Sequence, residues 1–277
     1  MKAIVNLLLL VFISSACSIP QESVQGQHVP NEHFNQDWAM DKLWEDGLAE
    51  VAHYRAEMNI YGKTRSFDQV FITVKEEFNK EWNVKTDDYQ REDLFSVMKV
   101  NKFARIETDN YPYHYLSSLF FKRDQPDQLY KMTHTGQEWC GNTFKQFIIE
   151  GANYAYDYNS YFDGTGDGEM GINGTDFLWE DQLSYALRAL KLENGLTFEN
   201  KVVESQINTK VRTPTIYDAE FSVVDKGDSW QVEVKLDAEK TNVYSFEKEY
   251  PNLLRSQQSW NGYKLELDSV SRYQYWR

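Results

Sequence analysis

The sequence predicts a mainly β protein of the α+β class: a curved antiparallel sheet, half-barrel or barrel, with one amphipathic helix packed on or in it. Three observations predict it. Apolar and polar residues alternate with period two along most of the chain. Residues 153–159 show this best, with Tyr154, Tyr156 and Tyr158 on one face and Asn153, Asp157 and Asn159 on the other. Aromatic residues make up 15% of the 277, including eighteen Tyr and eight Trp, and flat amphipathic rings suit a pleated surface. Only one segment, residues 176–192, carries its leucines at helical spacing.

From the N-terminus, Lys2 precedes an apolar run over residues 3–13, too short for a bilayer span of roughly 20 residues but right for a signal-peptide core. Ser14, Ser15 and Ala16 then lead to Cys17, as in a bacterial lipobox, although Ser14 stands where that motif usually has Leu. Residues 1–16 are therefore expected to be a signal peptide and Cys17 the acylated residue. Several acyl chains on one residue anchor stably, at about 0.8 kcal/mol per buried CH₂. Ser18, in place of Asp, resembles the signal for sorting to the outer membrane, and the missing acidic export cluster points to its periplasmic side. Residues 17–36, polar and carrying two prolines, read as the lipidated cysteine and a flexible tether in which His28 and His33 are solvated. Residues 37–277 read as a single β-rich domain.

Within it, residues 37–44 allow a helical turn or two. Strands are expected at residues 49–60, 70–74, 95–108 and 113–121. Two long ones follow over 129–162, joined by a turn at Gly151. Residues 163–174 read as a glycine-rich acidic loop, and Thr175 caps the helix of residues 176–192. Further strands are expected at 198–211, 216–224, 230–236 and 242–247. Asn261-Gly262 then joins two final strands, the strongest short-range hairpin signal available. This second half resembles in architecture the half-barrels of periplasmic lipoprotein carriers.

A net charge of −14 without a basic cluster excludes nucleic acid as a partner. Two cysteines are too few for a disulfide framework.

Several fragments, in order, resemble a family of Bacteroidota outer-membrane lipoproteins of unknown function, whose members often carry the misplaced label "septum formation inhibitor Maf". They are Ala49-Glu50-Val51, Tyr61-Gly62, Val84-Lys85, Ser96-Val97-Met98-Lys99-Val100-Asn101, Tyr111-Pro112-Tyr113, Gln137-Glu138-Trp139-Cys140-Gly141 and Ser160-Tyr161-Phe162, spread over residues 45–190. The resemblance implies a class of protein and no mechanism. The Ser-Pro-Arg-Arg-like motif of true Maf pyrophosphatases is missing.

Cys140 is the one thiol in the expected body, and a nucleophilic role would need a base beside it, such as His53 or His114. His134 lies about 20 Å away along one strand at about 3.3 Å per residue. Glu138 opposes thiolate formation, so Cys140 is expected to be buried and structural. Asp163, Thr165, Asp167 and Glu169 begin like an EF-hand loop, but Gly174 occupies the position that needs a bidentate Glu, so calcium is a weak candidate. The expectation is a lipid-anchored, non-enzymatic envelope lipoprotein binding a hydrophobic ligand or a protein partner. The alternatives are a hydrolase or transferase using Cys140 or a carboxylate pair, and a calcium-ordered module.

Overall fold

The computed structural model describes residues 28–277, so the leader and the lipidation site Cys17 expected above lie outside the described residues. Two 3-10 turns, Trp38–Met40 and Lys42–Glu45, precede sixteen strands. The first nine are β1 (Ala49–Ile60), β2 (Lys63–Asn79), β3 (Val84–Lys85), β4 (Leu94–Ile106), β5 (Tyr113–Lys122), β6 (Leu129–Glu138), β7 (Gly141–Glu150), β8 (Asn153–Ser160) and β9 (Asp167–Asn173). After them come β10 (Leu178–Trp179), β11 (Thr197–Val203), β12 (Ile216–Asp225), β13 (Ser229–Lys235), β14 (Thr241–Glu247), β15 (Leu254–Gln258) and β16 (Lys264–Tyr273).

All join one sheet, in the order β10 through β16, then β1, β2 and β4 through β9, with β3 against β2 alone. Each half is a meander, and the halves are sewn together where β16 pairs with β1, from Ala49 opposite Tyr273 to Glu57 opposite Lys264. The edge strands β9 and β10 are successive in the chain yet unpaired with one another, so the sheet curls without closing. The tyrosine alternation of β8 holds: Tyr154 and Tyr156 are fully buried inside the curve.

The helical segment occupies that interior. A 3-10 turn (Glu180–Gln182), the single α-helical turn α1 (Leu183–Ala186) and another 3-10 turn (Leu187–Ala189) run on without a break. An amphipathic helix lying on a sheet keeps a wet face; here every residue from 177 to 190 is buried or nearly so. It touches both halves. Trp179 meets Phe147 and Tyr154 at 4.8 and 5.2 Å, Tyr185 stacks on Phe121 at 4.4 Å, and Asn242 donates to Glu180 at 2.9 Å. The segment is a plug.

Several sequence expectations are corrected. The helix expected over residues 176–192 is shorter, because Leu178 and Trp179 instead pair in parallel with Val202 and Val203 and satisfy the exposed edge of β11. The first of the two strands expected over 129–162 breaks into β6 and β7 at a turn through Trp139 and Cys140. The latter half of the acidic loop is strand β9, paired with β8 from Asn153 opposite Asn173 to Asn159 opposite Asp167. The strand expected over residues 198–211 stops at Val203, and residues 204–215 cross the barrel end as an irregular loop. The end of the expected tether packs on the body: Phe34 is 2% exposed, Asn35 N donates to Ala189 O, and His28 sits 3.2 Å from Asp127 instead of in solvent.

One end of the barrel, the base, is closed by Trp38, Trp44 and the buried pair Arg188–Glu50, and the chain enters there beside Asp127.

Candidate functional site

The opposite end is built from turns. In a meander alternate turns lie at the same end, and here those turns are aromatic. Between β1 and β2, Tyr61 (φ 54°) and Gly62 (φ 73°) make a tight hairpin turn whose positive φ at both positions matches the strand twist. Tyr61 is thereby 73% exposed. Trp139, from the β6–β7 turn, is 78% exposed, and Tyr161, after β8, is 65% exposed. Gly141 is required beside them, because a Cβ there would lie 2.3 Å from the Tyr161 ring.

These rings form a crown that continues inward. Trp139 stacks on Tyr111 with centroids 6.0 Å apart and planes at 21°. Tyr111 meets Tyr113 at 5.8 Å, Tyr113 meets Tyr115 at 6.0 Å, and Tyr115 meets the imidazole of His134 at 5.5 Å. The hydroxyls of Tyr61 and Tyr113 share a hydrogen bond, which ties the first hairpin to the third. Burial, with help from Glu138, pushes Tyr115 up to about 12. An exposed, contiguous aromatic patch of this kind marks an interaction surface more often than a lone exposed ring does.

Beneath the crown is a cavity of about 80 Å³. Met58, Phe67, Ala104 and Ile106 wall it, and Lys102, Ser117 and Asp181 lie at its polar end. That volume has room for a few waters but falls well short of the ~300–1,000 Å³ of small-molecule sites. Lys102 Nζ donates to Asp181 O at 2.6 Å and to Ser184 Oγ at 2.7 Å. Burial, opposed by the Asp181 charge, pulls this lysine down to about 8. Lys145, also lowered to about 8 by burial, donates to Gln206 O and Asn208 Oδ1 at 3.1 Å each.

Two constellations there could suggest catalysis. Ser117 Oγ and His134 Nδ1 share a 2.8 Å hydrogen bond, the spacing of a nucleophile and its base. However, burial first and the Lys145 charge second push His134 down to about 3. A base that weak takes up almost no proton at neutral pH, and its charged neighbour is a cation where a triad places a carboxylate. The buried carboxylates Glu180 and Asp181 are both raised by burial. Each is engaged: Glu180 accepts from Ser205 N, Asn242 Nδ2 and Trp260 Nε1, and Asp181 from Ser205 Oγ and Gln206 N. They fasten the irregular loop to the plug.

The residues singled out in the sequence do not converge. Cys140 is exposed, contrary to the expectation of a buried thiol, because it lies in the β6–β7 turn and not within a strand. Its one hydrogen-bond contact is the Tyr111 hydroxyl at 3.6 Å; neither His53 nor His114 is its partner. Iodoacetamide should label Cys140 in the native protein, and Cys140→Ser should change stability by no more than about 0.5 kcal/mol in urea unfolding, as for other surface substitutions. A larger loss would show that the thiol has a structural task. Asp163 accepts from Gly164 N at 2.9 Å, Thr165 Oγ1 donates to Phe162 O at 2.9 Å, Asp167 accepts from Asn159, and Glu169 stands on β9 opposite Asp157. These oxygens belong to a turn and a strand rather than to one loop. Among the described residues no group of three His, Cys, Asp or Glu side chains is placed to hold a metal ion.

Fold and site together define a curled, plugged antiparallel sheet with an aromatic end. Two solved structures are similar to it. One is a β-barrel-like protein of the domain of unknown function DUF1849 from Brucella abortus, with 8% identity, 82% of this chain and 98% of that chain covered, and a TM-score of 0.47. The other is a DUF1089 family protein from Pseudomonas aeruginosa, with 14% identity, 65% and 87% covered, and a TM-score of 0.38. No protein-family model and no curated protein matches the chain.

Proposed function

We propose that this chain is a non-enzymatic envelope lipoprotein, anchored through acylated Cys17 at the periplasmic side of the outer membrane, whose aromatic crown docks a protein partner. The crown carries this reading. Trp and Tyr are the residues that dominate binding energy at interfaces, and Trp139, Tyr161 and Tyr61 stand exposed at turn tips. A protein partner is favoured over a hydrophobic small molecule because the cavity below is too small for an acyl chain. The chain enters the body beside Asp127, at the end away from the crown, so an anchored molecule presents the crown to the periplasm.

Two experiments test the two halves of this reading. Labelled palmitate is expected in the wild-type chain and not in Cys17→Ser; equal incorporation in both would remove the anchor. A photo-crosslinking residue at Trp139 should trap one defined envelope protein, and Trp139→Ala with Tyr161→Ala should weaken that complex by about a hundredfold, as loss of a hot spot of roughly 2–4 kcal/mol requires. Unchanged affinity in the double variant would remove the docking role of the crown.

A further inference from the structure

The outer face of the barrel carries a feature unrelated to the crown. On β2, β4, β5 and β6, toward the base, lies a groove of about 510 Å³, within the ~300–1,000 Å³ of small-ligand sites. Its charge runs against that of the molecule. In a chain of net charge −14, the groove is lined by Lys75, Lys85, Lys99 and Lys131, with Glu76 as its only acid. Lys75 and Lys99 are paired, with Glu45 and Glu76 respectively. Among the described residues Lys85 and Lys131 pair with no carboxylate.

Lys131 is the informative one. It comes off β6 opposite Phe120, is only 8% exposed, and donates a single hydrogen bond, to Asn83 O at 3.0 Å. Burial pulls its ammonium below the usual lysine range. A buried cation without a counter-charge is costly to keep, so its retention on a groove wall points to an anion that arrives from outside. Three exposed or half-exposed rings, Tyr89, Tyr275 and Trp276, stand along the groove, and Tyr275 accepts from Lys99 at 3.3 Å.

We propose that this groove binds an acid-bearing saccharide. Its acid group meets Lys131 and Lys85, and its C–H-rich ring faces cover Trp276 and Tyr89, whose negative π-faces attract them. A bare inorganic anion would use the lysines alone and leave the rings without a partner. A neutral sugar would leave Lys131 uncompensated. The combination selects a ligand that is both anionic and a polyol.

The test is calorimetric titration of the full-length chain in detergent with a trimer of galacturonic acid, a neutral galactose trimer and inorganic phosphate. The acidic trimer is expected to bind saturably, at least tenfold more tightly than the neutral trimer, and phosphate is expected to compete only weakly. Lys131→Gln and the exposed Lys85→Gln should each weaken binding by about tenfold, the loss of one charge-assisted contact. Lys85→Gln keeps the test valid should the buried variant fold poorly. Trp139→Ala, at the crown, should leave the titration unchanged, so the failure of the docking reading and of this one are told apart. No saturable binding of the acidic trimer, equal affinity for the neutral one, full competition by phosphate, or indifference to Lys85→Gln would each overturn the assignment.

Discussion

Replacing Arg188 by Ala is expected to destabilise the protein by about 3–5 kcal/mol, the cost of breaking a buried ion pair by removing one partner. Arg188 Nη1 and Nη2 donate to the two carboxylate oxygens of Glu50 at 2.8 and 2.9 Å, and Nε donates to Pro251 O at 3.0 Å. Both side chains are buried, and the guanidinium lies 5.1 Å from the Trp38 ring centroid. The pair links three parts of the chain: the plug, the start of β1 and the turn before β15. Burial works against the charge of Arg188, but Glu50 outweighs it and holds the group above its ordinary range. Without Arg188, the Glu50 carboxyl is left buried with no cation to meet it. The double variant Arg188→Met with Glu50→Leu should therefore recover most of the loss, since a well-packed apolar pair often matches a buried ionic one. Urea unfolding of the three variants measures this. A single-variant loss below about 1 kcal/mol, the range of an exposed pair, would mean that water reaches the site.

The same residues show how far the sequence could be read. The strands were legible wherever one face is wet, as in Tyr154, Tyr156 and Tyr158, and the Asn261-Gly262 hairpin joins β15 to β16 as expected. The Trp139–Cys140 turn was not, because its glycine, Gly141, comes after the turn tip and the flanking residues look like strand on both faces. The plug read as an ordinary amphipathic helix, because Glu180, Asp181 and Arg188 look like its wet side. They are buried instead, with partners 24 to 138 residues away. Nothing in the sequence marks Lys102, Lys131 and Lys145 as buried, because their acceptors, Asp181 O, Asn83 O and Gln206 O, come from segments 48 to 79 residues away. The crown left one signal in the sequence. Tyr61, Tyr111, Trp139 and Tyr161 occupy alternate connections of one meander, and a meander brings alternate connections to one end.

Acidification offers the sharpest test of the interior, through His134. Its imidazole is fully buried, shares Ser117 Oγ, leaves Nε2 without a hydrogen-bond partner, and is pushed to about 3 by burial and Lys145. In the unfolded chain a histidine titrates near 6.5. As pH falls below that value the unfolded state takes up a proton that the folded state refuses until about pH 3, so stability is lost on acidification. The slope approaches about 1.4 kcal/mol per pH unit, and from pH 6.5 to 4 the loss reaches roughly 3 kcal/mol. Carboxylates held below their ordinary range, such as Glu45, Asp46 and Asp127, weaken the fold only as pH nears their unfolded values around 4. Glu180 and Asp181, raised by burial, act in the opposite direction, taking up protons more readily when folded. Between pH 6.5 and 4.5 the raised pair and His134 therefore oppose one another, and the difference between wild type and a non-titrating variant isolates the imidazole. His134→Asn can still accept from Ser117 but cannot titrate, so its stability at pH 7 falls while its slope in that window flattens. If wild type and His134→Asn lose stability in parallel between pH 6.5 and 4.5, the imidazole is reached by water and the interior around Lys145 is wetter than its packing indicates.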